Sequence, residues 1–222
     1  MKAIRCNKDF FRILLVLFSF TLTSCQTRGE AQTMSPITAS SSPIIPAPEP
    51  TLTPLPPPFF DRFVSSLING NANQVVGVFV DGVLALRVVQ QPASKPGYVS
   101  MKHDVATYFA MVYQYMKNTG LLADNSHAGI YFYDLQPGQS VVLIYGDGST
   151  AEYVVSDIDQ FQALDPHSVT SNFVNLSTGE ALTATQLFSL VYGGSSRTTF
   201  QTCIAQGGES AWGRLFVIAT QE

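Results

Sequence analysis

Apolar positions along the chain fall into runs of two different periods, and each change of period marks an element. In FFDRFVSSLING, residues 59–70, apolar side chains recur at Phe59, Phe60, Phe63, Val64, Leu67 and Ile68. That spacing predicts a short amphipathic helix stopping at Asn69-Gly70. QVVGVFVDGVLALRVVQQP holds two valine-rich runs, and Asp81-Gly82 between them predicts a hairpin. DVATYFAMVYQYMK predicts a second helix over Asp104–Lys117, capped by Asp104 and closed before Thr119-Gly120. From GIYFYD to DIDQFQAL, runs of Val, Ile and Tyr alternate with turns at Pro137-Gly138 and Gly146-Asp147-Gly148, so strands are expected throughout. TATQLFSLVY opens with Thr183 and Gln186 in capping-box spacing and predicts a brief helix. Thr198–Ile204 and Trp212–Thr220 predict two final strands joined by the Gly-rich loop AQGGESA. Many short strands with two or three inserted helices imply a mainly β fold closed into a barrel.

The first 58 residues follow other rules. Residues 1–12 carry Lys2, Arg5, Lys8 and Arg12 against one acid, Asp9, and precede the apolar run ILLVLFSFTL. A basic start and a ten-residue apolar core predict a secretory signal over residues 1–24, too short for a stable membrane span. The run ends in LTSC, which resembles the lipobox of bacterial lipoproteins. The resemblance implies cleavage before Cys25, diacylation of its thiol and an anchor on the outer face of a membrane. Residues 25–58, rich in Ser, Thr, Pro and Ala and ending PAPEPTLTPLPPP, cannot bury enough apolar surface to fold and predict a stiff tether. The folded domain is then expected over residues 59–222.

Charge narrows the function. Removing residues 1–24 takes away four basic residues and one acid, which leaves eight Lys and Arg against fifteen Asp and Glu, a net charge near −7. An acidic chain with no basic cluster argues against nucleic acid as a partner. No cofactor is called for and no metal ligands are assigned, and Cys203 is the one cysteine of the expected domain, so no internal disulfide can form there.

Cys203 lies in RTTFQTCIAQGGESAWGRLFVIA between Arg197 and Arg214, the only basic residues after Lys117. On a strand Arg197 and Cys203 share a face, but six residues separate them by about 20 Å. Arg214 opens the return strand, and antiparallel pairing brings it opposite Cys203. A guanidinium there suits a developing oxyanion; a buried thiol beside a surface arginine is the plainer reading. TFQTCIA followed by WGRLFVIA resembles the end of the sortases, whose pattern Thr-Leu-x-Thr-Cys is met here with Phe200 in place of leucine. HAGIYFYDLQPGQSVVLIYGDGSTAEYVV extends the likeness through His127, Tyr131, Phe132 and Leu135, so that it covers the chain from about Leu121 onward.

The resemblance implies a closed eight-stranded sortase-like barrel and a transpeptidase that cuts a peptide sorting signal through a cysteine thioester and passes it to an amine acceptor. It implies Cys203 as nucleophile, Arg214 as oxyanion or positioning group and His127 as acid and base. Asp124, directly after LLA, is the alternative to His127 in a second register of GLLADNSHAG. A carboxylate there could not protonate a leaving amine near neutral pH unless its pKa were strongly raised, so that register implies a catalytically silent module binding peptide or cell-wall material. Hydrolysis of the thioester is a third reading of the same residues. His103 and His167 read as solvated surface residues, and Asp157 and Asp165 as turn acids, with a calcium-binding cluster near DIDQF as the alternative reading.

Overall fold

The computed structural model describes residues 58–168 and 170–221. The expected signal peptide, Cys25 and the tether, apart from Pro58, lie outside the described residues. Within them the order is α1 (Phe59–Leu67), β1 (Val75–Val80), β2 (Leu84–Gln90), β3 (Val105–Tyr108), α2 (Ala110–Met116), β4 (Thr119–Leu122), a 3₁₀ segment (Ala128–Asp134), β5 (Ser140–Tyr145), β6 (Thr150–Ala163), β7 (Phe173–Asn175), β8 (Ala181–Leu182), α3 (Ala184–Tyr192), β9 (Arg197–Gln206) and β10 (Glu209–Thr220).

Eight strands close into a barrel, as the alternation of valine-rich runs and turns predicts. Their order is β10-β9-β4-β3-β2-β1-β5-β6, and β6 returns to pair with β10 from Gly213↔Gln162 to Thr220↔Val154. β7 and β8 extend the sheet from the far end of β6, where Phe161 faces Asn175. Closure removes the unpaired edge that an open sheet would expose. Alternating residues of each strand fill the barrel, among them Val78, Leu86, Leu121, Leu143, Phe200 and Val217. On the outer face of β6 and β10, Phe161, Phe216 and Ile218 pack against Leu187, Val191 and Tyr192 of α3. α1 covers β1 and β5 through Leu67, Val76 and Ile144. The expected capping box of α3 forms, with Thr183 and Gln186 each satisfying the other's backbone N–H.

Four local expectations are corrected. The helix expected over Asp104–Lys117 is confined to Ala110–Met116, without an Asp104 cap, and Val105–Tyr108 is a strand. β-Branched Val105 pairs with Arg87 of β2, and Thr107 finds ladder partners on both sides, Val89 parallel in β2 and Leu122 antiparallel in β4; that pairing outweighs helical spacing. Residues 129–134, expected as strand, lie in the 3₁₀ segment Ala128–Asp134 instead. Ala128, Phe132 and Leu135 recur at three or four residues and plug the barrel, with the Phe132 and Phe200 ring centroids 5.1 Å apart. Asp157 lies within β6 rather than in a turn.

The long loop expected between the last two strands is a two-residue turn, Gly207-Gly208, with φ of 62° and 89°. Positive φ at both positions is the geometry of a tight hairpin turn and explains the paired glycines. From that turn the ladder starts at Glu209↔Gln206 and then slips, so that Gly213 faces Ile204 and Arg214 faces Cys203. Without the slip Arg214 would stand opposite Gln201. Two extra residues in β10 therefore place Arg214, as a β-bulge re-aims the strand that carries it.

Phe132 joins this plug to the barrel core and is 1% exposed. Phe132→Ala is expected to lower unfolding stability by about 3–5 kcal/mol, read as a drop in the urea midpoint with unchanged slope.

Candidate active site

β9 alternates between two environments. Phe200 points into the barrel, whereas the Thr199 hydroxyl donates to Val191 O and Gln201 Oε1 accepts from the Tyr192 hydroxyl, both on the α3 side. Alternation puts Cys203 on that outer side as well, directly opposite Arg214. Arg197 shares the face but begins β9, about 20 Å along the strand. Its Nη1 donates to Leu190 O at 2.7 Å, so it caps the end of α3 and stands apart from the thiol.

The loop after β4 is fastened along the same strand. Ala123 N–H donates to Gln201 O, and the Thr202 hydroxyl donates back to Ala123 O at 2.9 Å. Gly129 presses against this contact: a Cβ there would meet Thr202 Oγ1 at 2.2 Å and Asp124 O at 2.6 Å, so a side chain at 129 would force the loop off β9. Asn125 Nδ2 donates to Ser210 O on β10, and the Tyr133 hydroxyl donates to Cys203 O at 2.8 Å.

Asp124 organises this loop. Its Oδ1 accepts from Ser126 N–H at 2.9 Å, from the Ser126 hydroxyl and from His127, whose Nδ1 lies 2.8 Å away. Its carbonyl accepts from His127 N–H and Gly129 N–H. Residues that the sequence offered as alternatives are thus partners in one turn. Burial raises the Asp124 carboxyl, but the hydrogen bonds from His127 and Ser126 outweigh it and hold the pKa below the usual carboxylate value. An ionised Asp124 favours a proton on Nδ1 and leaves Nε2 as the nitrogen not engaged by the carboxylate. His103, exposed as expected, also lays its ring against His127 with centroids 4.8 Å apart.

Cys203 is half-buried, and burial pushes its thiol pKa up. Arg214 opposes that shift, while Asp124 and Glu209 add to it. The group at rest is a thiol rather than a thiolate. Arg214 is fixed by backbone carbonyls: Nη1 donates to Ala211 O at 2.7 Å and Gly213 O at 2.8 Å, and Nη2 to Pro166 O at 3.4 Å. His167, on the exposed turn after β6, pairs with Glu209 at 3.0 Å. Among the described residues no hydrogen bond joins Cys203 Sγ, His127 and Arg214 side chain to side chain. No group of three or more His, Cys, Asp or Glu side chains among the described residues is arranged to hold a metal.

The structure thus brings the Asp124–His127 pair, Cys203 and Arg214 to one end of β9 and leaves Arg197 at the other. Sequence reasoning missed the Tyr133 bond, the joint role of Asp124 and His127, and the His103 ring. Only the Asp-x-Ser-His spacing, which suits a turn closed by an aspartate side chain, carried a signal for any of them.

No protein-family model matches the chain, and no curated protein does. Solved structures similar to it include sortase A of Listeria monocytogenes, at 17% identity, covering 67% of this chain and 87% of that one with a TM-score of 0.42. Sortase E1 of Streptomyces coelicolor, solved with a tripeptide in its active site, matches at 15% identity over 66% and 86%, TM-score 0.42. Sortase C of Clostridium perfringens matches at 12% over 72% and 82%, TM-score 0.40. A likeness of this size concerns the path of the backbone and transfers no residue's role.

Proposed function

We propose that the chain is a sortase-like cysteine transpeptidase held on the extracytoplasmic face of a membrane by a lipid on Cys25, with residues 25–58 as its tether. The observation that carries this reading is the register that sets Cys203 opposite Arg214, beside a strand to which the Asp124–His127 turn is fastened. In the first half-reaction His127 Nε2 takes the thiol proton as Sγ attacks the carbonyl carbon of a peptide sorting signal. The C–N bond breaks, the amine leaves with the proton from His127, and a thioester remains. An acceptor amine then attacks the thioester, its proton passes to His127, and Sγ is reprotonated as it leaves. Arg214 offers its charge to the oxyanion in both steps. Water in place of the amine would make the same site a peptidase.

A second reading, a silent module that binds peptide or cell-wall material, is favoured by one observation. Three of the five Arg214 N–H donors are already spent, on the Ala211, Gly213 and Pro166 carbonyls. The two readings part on a covalent intermediate. With a sorting-type peptide, transpeptidation predicts an acyl-enzyme on Cys203 visible by intact-mass spectrometry and absent in Cys203→Ala. Asp124→Asn should lower turnover on the order of 100-fold, because the ring loses its held tautomer. Peptide binding without any adduct in the unaltered chain would leave the silent module.

The charges around the thiol give two shifts of opposite sign. Arg214→Gln removes the group that lowers the Cys203 pKa, so the pH midpoint of iodoacetamide alkylation should rise. Asp124→Asn removes a group that raises it, so the midpoint should fall. Identical profiles in all three proteins would show that neither side chain is coupled to the thiol.

A further inference from the structure

At the other end of the barrel, where β9 begins, lies a cavity of about 230 Å³ lined by Tyr108, Tyr113, Tyr145, Tyr153, Lys117 and Arg197. Among the described residues its remaining lining is neutral, and none of them brings a carboxylate to it. In a chain of sixteen acids and twelve basic residues this is an unusual place. Only four Lys and Arg residues lie beyond residue 100, and two of them, eighty positions apart, converge here. Neither pairs with a carboxylate of the described residues: there the pairs closer than 4.0 Å belong to His127 and His167. Arg197 is felt by Asp159 at longer range, and its enclosed Nε has no acceptor.

The phenols point the same way. Among the described tyrosines only Tyr133 and Tyr192 spend their hydroxyls on bonds within the chain. The four cavity hydroxyls thus have no acceptor among the described residues and can donate into the cavity. Burial, reinforced by Tyr113 and Tyr145, pushes Tyr108 up to about 12, and burial with Tyr153 nearby raises Tyr145. Both keep their protons at any physiological pH and can act only as neutral groups. Lys117 sits at the left-handed end of α2 with its ammonium 5.1 Å from the Tyr113 ring centroid, which holds the charge at the rim.

We propose that this cavity binds a phosphate group, with Lys117 and Arg197 supplying charge and the tyrosine hydroxyls supplying donors. O–H and N⁺–H donors without a competing carboxylate fit an acceptor-only anion, and charge-assisted bonds of this type are the strong ones. The group can come from free phosphate, from a phosphomonoester, or from the diester of a lipid headgroup. The site is independent of the thiol at the far end of β9.

The test uses the full chain in detergent, titrated calorimetrically with inorganic phosphate, glycerol 3-phosphate and a short-chain phosphatidylglycerol, each against chloride at matched ionic strength. The expected result is saturable binding of at least one probe. Lys117→Asn, which suits the left-handed backbone while removing the charge, should weaken it by about tenfold or more. Tyr108→Phe and Tyr145→Phe should each weaken it roughly three- to tenfold, with the ligand-free melting temperature unchanged. The stronger of the ester and diester titrations identifies the source of the phosphate. Absence of saturable binding by all three probes overturns the proposal, as does binding that Lys117→Asn and both phenol deletions leave unchanged. Should one variant misfold, the other two decide.

Discussion

A slip of two residues in the ladder between β9 and β10 decides which side chains meet at the candidate active site. The Gly207-Gly208 turn alone would pair Arg214 with Gln201, beneath α3 and away from the thiol. Because the slip is even, every side chain of β10 keeps its face. Leu215, Val217 and Ala219 remain in the barrel, and Phe216 and Ile218 remain against α3. A slip of one residue would have cost both cores. The site is thus adjusted within a constraint imposed by closure, since β10 must also match β6 along its other edge from Gly213 to Thr220.

The electrostatics of the site follow from how the loop after β4 is held. Asp124 is tied by hydrogen bonds from its own turn, and the turn is tied to β9 through Ala123 and Thr202. The carboxylate that orients His127 is therefore also near enough to act on Cys203, where it favours the protonated thiol. Arg214 opposes it from across the ladder, but burial and the two acids win. A thiol that is protonated at rest gains from a nearby base more than a preformed thiolate would. This is why the Asp124–His127 pair, rather than Arg214 alone, gives the arrangement its chemical interest.

Much of this was legible in the sequence, and the failures have physical causes. The Cys203–Arg214 pairing could be anticipated although the connection was mistaken: a long loop, or a tight turn with a bulge, places the same ten residues between them. The Asp104–Lys117 helix failed because apolar positions at 105, 106, 108 and 109 satisfy either period when both faces are buried, and long-range pairing to β2 and β4 then decides. The 3₁₀ segment failed for the same reason, since Ile130–Tyr133 is dense in residues that favour strands. Asp124 and His127 looked like rivals because spacing along a line does not reveal a side chain that folds back three residues to receive a ring nitrogen.

β9 gives the barrel two chemically distinct ends. Its ten residues span roughly 30 Å, with Arg197 at one end and Cys203 near the other. Arg197 and Cys203 stand about 20 Å apart, more than twice the screening length of about 8 Å at physiological salt, so exposed charge at one end contributes little at the other. Coupling between the ends would have to pass through packing, and what lies between is the Phe200, Val217 and Phe216 core that changes in the ladder cannot disturb without loss of the fold. Substitutions at the tyrosine cavity and at the thiol should therefore add independently in stability and in binding, and the barrel can carry two unrelated ligand chemistries on one strand.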